Sequence, residues 1–300
     1  METILITGAE GMIARLFEYR YKDKYNIRFY SRRPEEANEY YWDPQQGGID
    51  PDALQDVDHI IHLSGARLAD HRWTPRYRDE IITSRAGATA LLGRTLMNYN
   101  LRVRTFISAS ATGIYGSQSL PGVLHEGSPS GTDFLAEVCK AWEEEAYLLH
   151  AEHLADRVCI ARFGMVFAHH AGILPKMAIG TKWGIAPIFG SGKQFLPWIH
   201  ISDLCRMLEF MVAHPHVVGV YNAVAPDYAT YERIVSTLAY LRSGVVNKVK
   251  VPGLLIRRYL QEAADMVLKG YKVSSDRIVK AGFQFCYPDL TSALRHLYNL

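Results

Sequence analysis

The amino-terminal residues combine a short apolar run with small residues whose spacing suits the binding of phosphate groups. Residues 3–6 are β-branched or aliphatic and predict a buried strand, after which Gly8, Gly11 and Ala14 lead into a helical pattern. Gly8 permits a tight turn, Gly11 lets the backbone approach a pyrophosphate, and the small Ala14 lets the helix pack on the strand. The N-terminus of that helix offers N–H groups and a partial positive charge to the phosphates. We therefore expect a dinucleotide here, with an ordinary strand-to-helix turn as the structural alternative.

A second strand is predicted over residues 26–31, and the residues that follow it indicate which dinucleotide is bound. A site for NAD places an Asp or Glu at this end to accept a hydrogen bond from the ribose 2′-hydroxyl, whereas a site for NADP places an Arg near the 2′-phosphate. Here the acid is absent, and Arg32 and Arg33 follow Ser31 directly. Because guanidinium groups match the geometry of phosphate, we predict NADP(H). A solvated loop is the structural alternative.

The remaining pattern alternates strands and helices. Further strands are predicted over 58–63, 104–107, 158–162 and 218–224, a helix over 75–98, a helix after Asp133 and a helix over 204–214. Residues 35–56 are predicted to be a polar connection with several turns, and Asp203 is predicted to cap the helix that begins at Leu204. Strict alternation of this kind predicts an α/β fold with a parallel, doubly wound sheet whose ligand lies at the carboxyl ends of the strands. The small residues Ser64 and Gly65 end one of these strands and leave room for a cofactor.

Composition excludes several classes of protein. Lys and Arg total 33 and Asp and Glu total 31, so the chain lacks the strong positive charge that indicates nucleic-acid binding. The four cysteines are far apart and form no metal or disulfide pattern, and the adjacent His169 and His170 lack a further ligand at helical spacing. There is no leader signal and no apolar run long enough to cross a membrane. We expect a cytoplasmic protein with a small-molecule substrate and with no metal, nucleic-acid or membrane partner.

Several motifs occur in the order found in a known superfamily. They are I-T-G-A-E-G-M-I-A at the amino terminus, S-A-S-A-T-G-I-Y-G from Ser108, G-S-G-K-Q followed by W-I-H-I-S-D-L, Y-N-A-V-A-P, and G-F-Q-F-x-Y-P-D-L near the carboxyl terminus. Together they resemble the extended short-chain dehydrogenase/reductases. The resemblance is greatest to an atypical subfamily named for NAD(P)-dependent sugar-nucleotide epimerases, which carries a C-terminal domain of unknown function. The resemblance spans essentially the whole chain.

This resemblance implies a Rossmann-type domain over residues 1–165, a smaller, discontinuous substrate lobe over 166–249 and a C-terminal helical piece over 250–300. It also implies which residues contact the cofactor, with Ser108 in a structural rather than a chemical role. These residues are Gly8, Gly11, Met12, Ile13, Ser31, Arg32, Arg33, Leu63, Ser64, Gly65, Glu80, Arg85, Ser108, Lys140, Gly164 and Met165.

The resemblance also exposes a missing residue. In the superfamily a Tyr transfers the proton during hydride transfer, a Lys four residues later lowers the pKa of that Tyr, and a Ser on the preceding strand polarises the substrate oxygen. Ser110 and Lys140 match the Ser and the Lys, but the Tyr position is occupied by Ala136. Tyr115 is the nearest replacement, with a wall of the substrate site as its structural alternative. His200 has a suitable pKa near neutrality, with a structural histidine as its alternative.

Two functions remain open at this point. The first is an NADP(H)-dependent oxidoreductase or epimerase acting on a hydroxyl or carbonyl of a small substrate similar to a nucleotide sugar, with Ser110, Lys140 and Tyr115 as catalytic candidates. The second is a weakly active or inactive NADP(H)-binding regulatory protein, which the loss of the Tyr at Ala136 favours. Retention of Ser110 and Lys140 favours the first.

Overall fold

The structure, a computed structural model, describes residues 1–68, 71–117 and 122–299. Its contacts divide into two compact units. Unit 1 contains residues 1–114, 134–162 and 205–221, and unit 2 contains residues 115–133, 163–204 and 222–300. The three-part division expected above remains a prediction.

Eight strands of the described chain form one sheet. They are β1 (Thr3–Thr7), β2 (Asn26–Ser31), β3 (Glu39–Asp43), β4 (Gly48–Ile49), β5 (His59–His62), β6 (Val103–Ala111), β8 (Ala155–Phe163) and β12 (Gly219–Ala223), with the two-residue β7 (Val123–Leu124) outside this sheet. Their order is β12-β8-β6-β5-β1-β2-β3-β4. Neighbours from β3 to β6 pair in parallel, and β4 is antiparallel to β3. The predicted α/β fold with a mostly parallel sheet is confirmed.

The helices and the shorter strands connect these elements. The helices are α1 (Met12–Tyr21), α2 (Pro75–Ile82), α3 (Ala88–Asn98), α4 (Phe134–Ala151), α5 (Leu174–Met177), α6 (Ile201–Ala213), α7 (Tyr231–Ser243), α8 (Gly253–Leu260), α9 (Asp265–Leu268), α10 (Asp276–Lys280) and α11 (Leu290–Tyr298). The shorter strands are β9 (Met165–Phe167), β10 (Ile185–Phe189), β11 (Trp198–His200), β13 (Asn247–Val251) and β14 (Lys272–Val273). In unit 2 they pair in parallel as β9 with β11, β10 with β13 and β14 with β7.

The prediction of a polar connection over residues 35–56 is wrong, because β3 and β4 lie within it. The cause is Trp42, which lies in the core and stacks on Tyr30 of β2 with ring centroids 5.0 Å apart. The Tyr30 hydroxyl also donates to the Asp50 carbonyl oxygen at 2.7 Å. Trp42, with Ala53 and Leu54 of the same segment, therefore packs this connection onto the sheet.

The predicted helix over 75–98 is interrupted. Residues Thr83–Gly87 form a π-helical turn between α2 and α3, and such turns occur frequently at functional sites. The expected cap at Asp203 is also wrong, because α6 begins two residues earlier, at Ile201. The Asp203 carboxylate instead accepts hydrogen bonds from the Cys286 and Tyr287 backbone N–H groups at 2.9 and 2.8 Å.

Among the described residues, no helix has the length and apolar character needed to cross a bilayer.

Candidate cofactor site

The site begins where the strand order reverses. From β1 the chain builds outward through β2 and β3 on one side, and β5 then pairs with the other side of β1. In open α/β sheets the crevice at such a switch point is where ligands bind. Gly8 follows β1 at this point with φ +83°, a conformation that favours glycine. A Cβ at Gly8 would lie 3.6 Å from the backbone of Leu63 and Ser64 after β5, so the two strand ends approach closely.

A buried threonine holds these two strand ends together. The Thr7 hydroxyl oxygen accepts hydrogen bonds from the backbone N–H groups of Leu63 and Ser64 at 2.9 and 3.0 Å. It also lies 2.9 Å from Nδ1 of His62, which is fully buried. Since the oxygen already accepts two bonds, its own proton is donated to Nδ1, and the neutral ring carries its proton on Nε2. Burial lowers the pKa of His62 to about 4, so the ring is neutral at physiological pH.

The N-terminus of α1 is suited to hold a pyrophosphate. Gly11 caps the helix without a side-chain hydrogen bond, and the first turn contains no acidic residue. The Gly11 N–H donates to the Gly8 carbonyl oxygen at 2.9 Å, which closes the turn between strand and helix. Met12 and Ile13 provide the next backbone N–H groups, and Ile13 is half-buried. Glu10, a carboxylate in this loop, is exposed, as expected for a side chain that would otherwise repel phosphate.

The two arginines after β2 are exposed at the carboxyl end of the strand. Ser31 orders the turn, because its hydroxyl donates to the Arg33 carbonyl oxygen at 3.0 Å and accepts from the Arg33 N–H at 3.2 Å. Nearby acids have other partners, since Arg15 pairs with Glu39 at 2.6 Å. Within the described ranges neither Arg32 nor Arg33 forms an ion pair with a carboxylate. Both guanidinium groups therefore remain available to an external phosphate.

The π-helical turn presents Arg85 to the loop after β5. The Arg85 guanidinium donates to the carbonyl oxygens of Ala66 at 2.9 Å and Ile81 at 3.1 Å. Ser84 of the same turn accepts a hydrogen bond from the Ala66 N–H at 2.9 Å. A Cβ at Gly65 would lie 3.0 Å from the guanidinium carbon, so a side chain there would require the guanidinium to shift by a few tenths of an ångström. Burial lowers the pKa of Arg85 from its usual value, although the group stays charged. Glu80 is half-buried at the end of α2.

Behind these loops, a buried polar triad connects β6, α4 and β8. The Ser110 hydroxyl donates to Oε1 of Glu143 at 2.6 Å. Arg162 donates to both carboxylate oxygens, from Nε at 2.9 Å and from Nη2 at 2.8 Å. All three residues are less than 8 % exposed. The Ser110 proton is thus directed at Glu143, and any ligand reaching Ser110 would find its oxygen as an acceptor, rather than the donor that the sequence suggested.

The position of the missing Tyr is closed. Ala136 on α4 is 0 % exposed, so the structure contains no solvent-accessible gap for a phenol there. Lys140 lies one turn further along α4 and is half-buried. Cys139 is buried beside Ser110, and burial raises the pKa of its thiol to about 12, which excludes a thiolate nucleophile at neutral pH. Ser108 is fully buried and donates to the Ala109 carbonyl oxygen at 2.9 Å, a purely structural contact.

The other predicted site residues lie in unit 2. Tyr115 is 1 % exposed, and its hydroxyl donates to Oδ1 of Asn222 at 2.7 Å. His200 is buried, with Nδ1 accepting from the Ser202 N–H at 3.0 Å and Nε2 lying 3.1 Å from Nδ1 of His296. Both replacement candidates for the Tyr therefore make internal hydrogen bonds.

Gly164 and Met165 also lie in unit 2, where they pack against the backbone at Pro197. A Cβ at Gly164 would approach the Pro197 carbonyl oxygen to 2.7 Å, so a side chain there would force the two segments apart. The Met165 N–H donates to that same oxygen at 2.7 Å. These contacts account for a glycine at 164 without a cofactor.

Unit 1 thus brings together most of the predicted cofactor residues, whereas Tyr115, Gly164 and Met165 belong to unit 2. The sequence interpretation missed Thr7, His62 and Arg162, and it did not assign a role to Glu143. A signal for Glu143 was present, because it occupies the buried face of α4 together with Ala136, Cys139 and Ala146. An acid on an otherwise apolar helix face needs a buried partner.

Comparison with known proteins places the chain in a family of NAD-dependent epimerases and dehydratases. The family described as "NAD dependent epimerase/dehydratase family" matches residues 4–224, and a domain of unknown function (DUF1731) matches residues 251–297. An epimerase family protein of Mycobacterium leprae is 33% identical over 299 residues, covering 98% of this chain and 94% of its own length. An epimerase family protein of Staphylococcus aureus is 31% identical over 301 residues, covering 99% of each chain.

Solved structures share the fold of this chain. A human epimerase family protein, solved with NADPH, superimposes with a TM-score of 0.89 at 27% identity and covers 99% of this chain and 100% of its own. The UDP-glucuronic acid 4-epimerase of Bacillus cereus, solved with UDP-glucuronic acid and NAD, has a TM-score of 0.81 at 16% identity and covers 99% and 98%. The second likeness concerns the fold alone.

Proposed function

We propose that this chain, which belongs to the NAD-dependent epimerase/dehydratase family, is an NADP(H)-dependent oxidoreductase or epimerase. Its substrate would be a small molecule related to nucleotide sugars that carries a reactive hydroxyl or carbonyl group. The observation that carries the preference for NADP(H) is the pair Arg32 and Arg33, exposed and without a carboxylate partner in the described chain at the end of β2. The NADPH found in the human relative supports it.

The residues of unit 1 fit such a cofactor. Gly8 and Gly11 leave backbone space for the pyrophosphate, and Met12 and Ile13 would offer it their N–H groups. The two arginines would hold the 2′-phosphate. Lys140 would hold the hydroxyls of the nicotinamide ribose, as the family resemblance implies. When bound, the nicotinamide ring supplies or accepts a hydride. Arg85 and Thr7 would act indirectly, by fixing the loop after β5.

The proton transfer that accompanies hydride transfer needs a group other than the Tyr of the superfamily. Ala136 has no proton to exchange, the Tyr115 hydroxyl donates to Asn222, and both His200 nitrogens make internal contacts. Ser110 would then accept a hydrogen bond from a substrate hydroxyl, because its own proton is already donated to Glu143. The same observations favour a second candidate, an NADP(H)-binding regulatory protein with little or no turnover.

One experiment separates the two candidates. Purified protein is incubated with NADPH and a panel of aldehydes, ketones and keto sugars, and NADPH oxidation is followed with and without each compound. The enzyme proposal expects at least one panel member to accelerate oxidation, and the Lys140→Ala variant to bind NADPH more weakly. Tight NADPH binding with no acceleration by any compound would favour the regulatory protein. Failure to bind either NADPH or NADH would contradict both.

A further inference from the structure

The segment that joins β2 to β3 carries more negative than positive side chains. After Arg32 and Arg33 come Glu35 and Glu36, and β3 begins with Glu39. A carboxylate and a phosphate both match the fork of a guanidinium group, so the two kinds of anion compete for the same donors. The carboxylates would also repel a bound phosphate. This segment can therefore hold a 2′-phosphate only if its own carboxylates are held elsewhere.

Arg15 of α1 binds two of these three carboxylates. Its Nη2 donates to Oε1 of Glu39 at 2.6 Å, and its Nη1 lies 3.7 Å from Oε1 of Glu36. Nη1 also donates to Glu18 of the same helix at 3.2 Å. The guanidinium carbon lies 5.1 Å from the ring centroid of Phe29, a fully buried residue of β2 that positions the arginine. One cation therefore holds acids from α1, from the connecting segment and from β3.

The second carboxylate oxygen of Glu39 fixes the backbone of the segment. It accepts a hydrogen bond from the Glu35 N–H at 2.9 Å, and the Glu39 side chain is only 3% exposed. Towards β2, the Ser31 hydroxyl binds both the N–H and the carbonyl oxygen of Arg33. The backbone is thus held on both sides before a ligand arrives, which lowers the entropy cost of binding. A buried carboxylate needs a partner, so this arrangement depends on Arg15.

The two arginines of the segment differ from Arg15 in their surroundings. Arg32 and Arg33 are exposed, and in the part of the chain that the structure describes neither pairs with a carboxylate. Glu35 is also exposed, so water and salt screen its charge. Without Arg15, the other two carboxylates of the segment would lose their cation and would lie within seven residues of both arginines in the chain.

We propose that Arg15 is a positioning residue that determines the preference for NADP(H), and that it acts through the carboxylates it holds. By pairing with Glu36 and Glu39, it keeps these acids away from the two arginines of the segment, which stay available to the 2′-phosphate. The inference rests on the proposed function, because that function supplies the 2′-phosphate. It makes the choice of cofactor depend on a residue of α1 in addition to the residue types at the end of β2.

The test compares adenosine 2′,5′-bisphosphate with 5′-AMP, two probes that differ only in the 2′-phosphate, by calorimetric titration into the full chain. Arg15→Gln frees both acids and should lower the preference for the bisphosphate by about 5-fold or more, with the affinity for 5′-AMP unchanged. Arg15→Lys keeps the charge and should lower that preference by less than about 3-fold. Arg20→Gln is the matched control, because Arg20 is exposed in the last turn of the same helix, and it should match wild type.

A rescue variant separates this electrostatic role from a structural one. Arg15→Gln/Glu36→Gln/Glu39→Gln removes the freed carboxylates as well, and it should regain the wild-type preference to within about 3-fold. A purely structural Arg15 would instead weaken both probes, and removal of the acids would not restore the preference. If thermal unfolding shows that Arg15→Gln is misfolded, Arg15→Gln/Glu39→Gln takes its place, since it leaves only Glu36 without a cation. It is judged by the same loss and the same rescue.

The proposal is overturned if Arg15→Gln keeps the wild-type preference for the bisphosphate, or if the rescue variant fails to regain it. The same variants are titrated with NADPH and with NADH. A wild-type protein that prefers NADPH, together with an unchanged preference in Arg15→Gln, would refute the role of Arg15 alone. A wild-type protein that binds NADPH and NADH equally would refute the NADP(H) preference of the proposed function, and this inference with it.

Discussion

The Ser110 hydroxyl donates a 2.6 Å hydrogen bond to the buried carboxylate of Glu143. Arg162 holds the same carboxylate through two nitrogens, so the Glu143 oxygens are fixed in place as acceptors and the Ser110 proton stays directed at them. This relationship replaces the simple picture of Ser110 as a donor to a substrate carbonyl.

The first prediction concerns this triad. Glu143→Ala removes the counter-charge of Arg162 and should destabilise the protein by about 3–5 kcal/mol. Ser110→Ala leaves the ion pair intact and should cost only about 1 kcal/mol. Urea unfolding of both variants measures the difference. Equal losses of unfolding free energy would show that Glu143 does not depend on Arg162 for its buried charge.

The second prediction concerns the position of the missing Tyr. Since Ala136 is completely buried, Ala136→Tyr has to displace its neighbours and should lower the free energy of unfolding by at least about 1–3 kcal/mol. It should not create reductase activity on the carbonyl panel. Ala136→Ser, which adds one atom, serves as the size control. A variant Ala136→Tyr that is as stable as wild type and reduces carbonyl compounds faster would contradict the closed geometry.

The third prediction is a pH dependence that originates at His62. Its pKa is about 4 in the folded state and about 6.5 when unfolded. The unfolded chain therefore binds more protons between these values, and stability falls as the pH drops from 6.5 towards 4, by about 3 kcal/mol in total. His62→Asn keeps an acceptor for Thr7 but cannot titrate, so its unfolding free energy should change less across this window.

The control for this experiment is His153→Asn. His153 is exposed with φ +60°, a conformation that Asn tolerates. It should show the wild-type pH dependence. An unchanged pH dependence in His62→Asn would mean that other groups cause the loss of stability in acid.

A feature of the structure could be predicted from the sequence when the residues that cause it are adjacent in the chain. The strand over 26–31 and the glycine turn at Gly8 and Gly11 were predictable, because their apolar runs and small residues are adjacent in the chain. The strand around Trp42 was not, because the stacking on Tyr30 that stabilises it is a tertiary contact. The same holds for the candidate site, where Ser110 was found by resemblance but its hydrogen-bond partner Glu143 lies 33 residues away along the chain.

The fourth prediction compares two glycines with similar backbones. Gly8 and Gly47 have φ of +83° and +72°, so replacement of either by Ala should cost about 1 kcal/mol of strain. Gly47 has open space around its Cβ position and lies in the turn between β3 and β4. We expect only Gly8→Ala to weaken NADPH binding, because only Gly8 faces the switch-point crevice. Equal NADPH affinity of the two variants, measured by fluorescence titration, would argue against a pyrophosphate at Gly8.

The most direct test of the account is a titration of wild type and the double variant Arg32→Ala/Arg33→Ala with NADPH and with NADH. If the two arginines hold the 2′-phosphate, the double variant should lose about 1–3 kcal/mol of NADPH binding free energy, from the charge-assisted hydrogen bonds, and far less for NADH. If the double variant has the wild-type free energy of unfolding in urea, the loss of NADPH affinity arises at the site and not from misfolding. Equal losses for NADPH and NADH, or no loss for either, would contradict the assignment of NADP(H) as the cofactor.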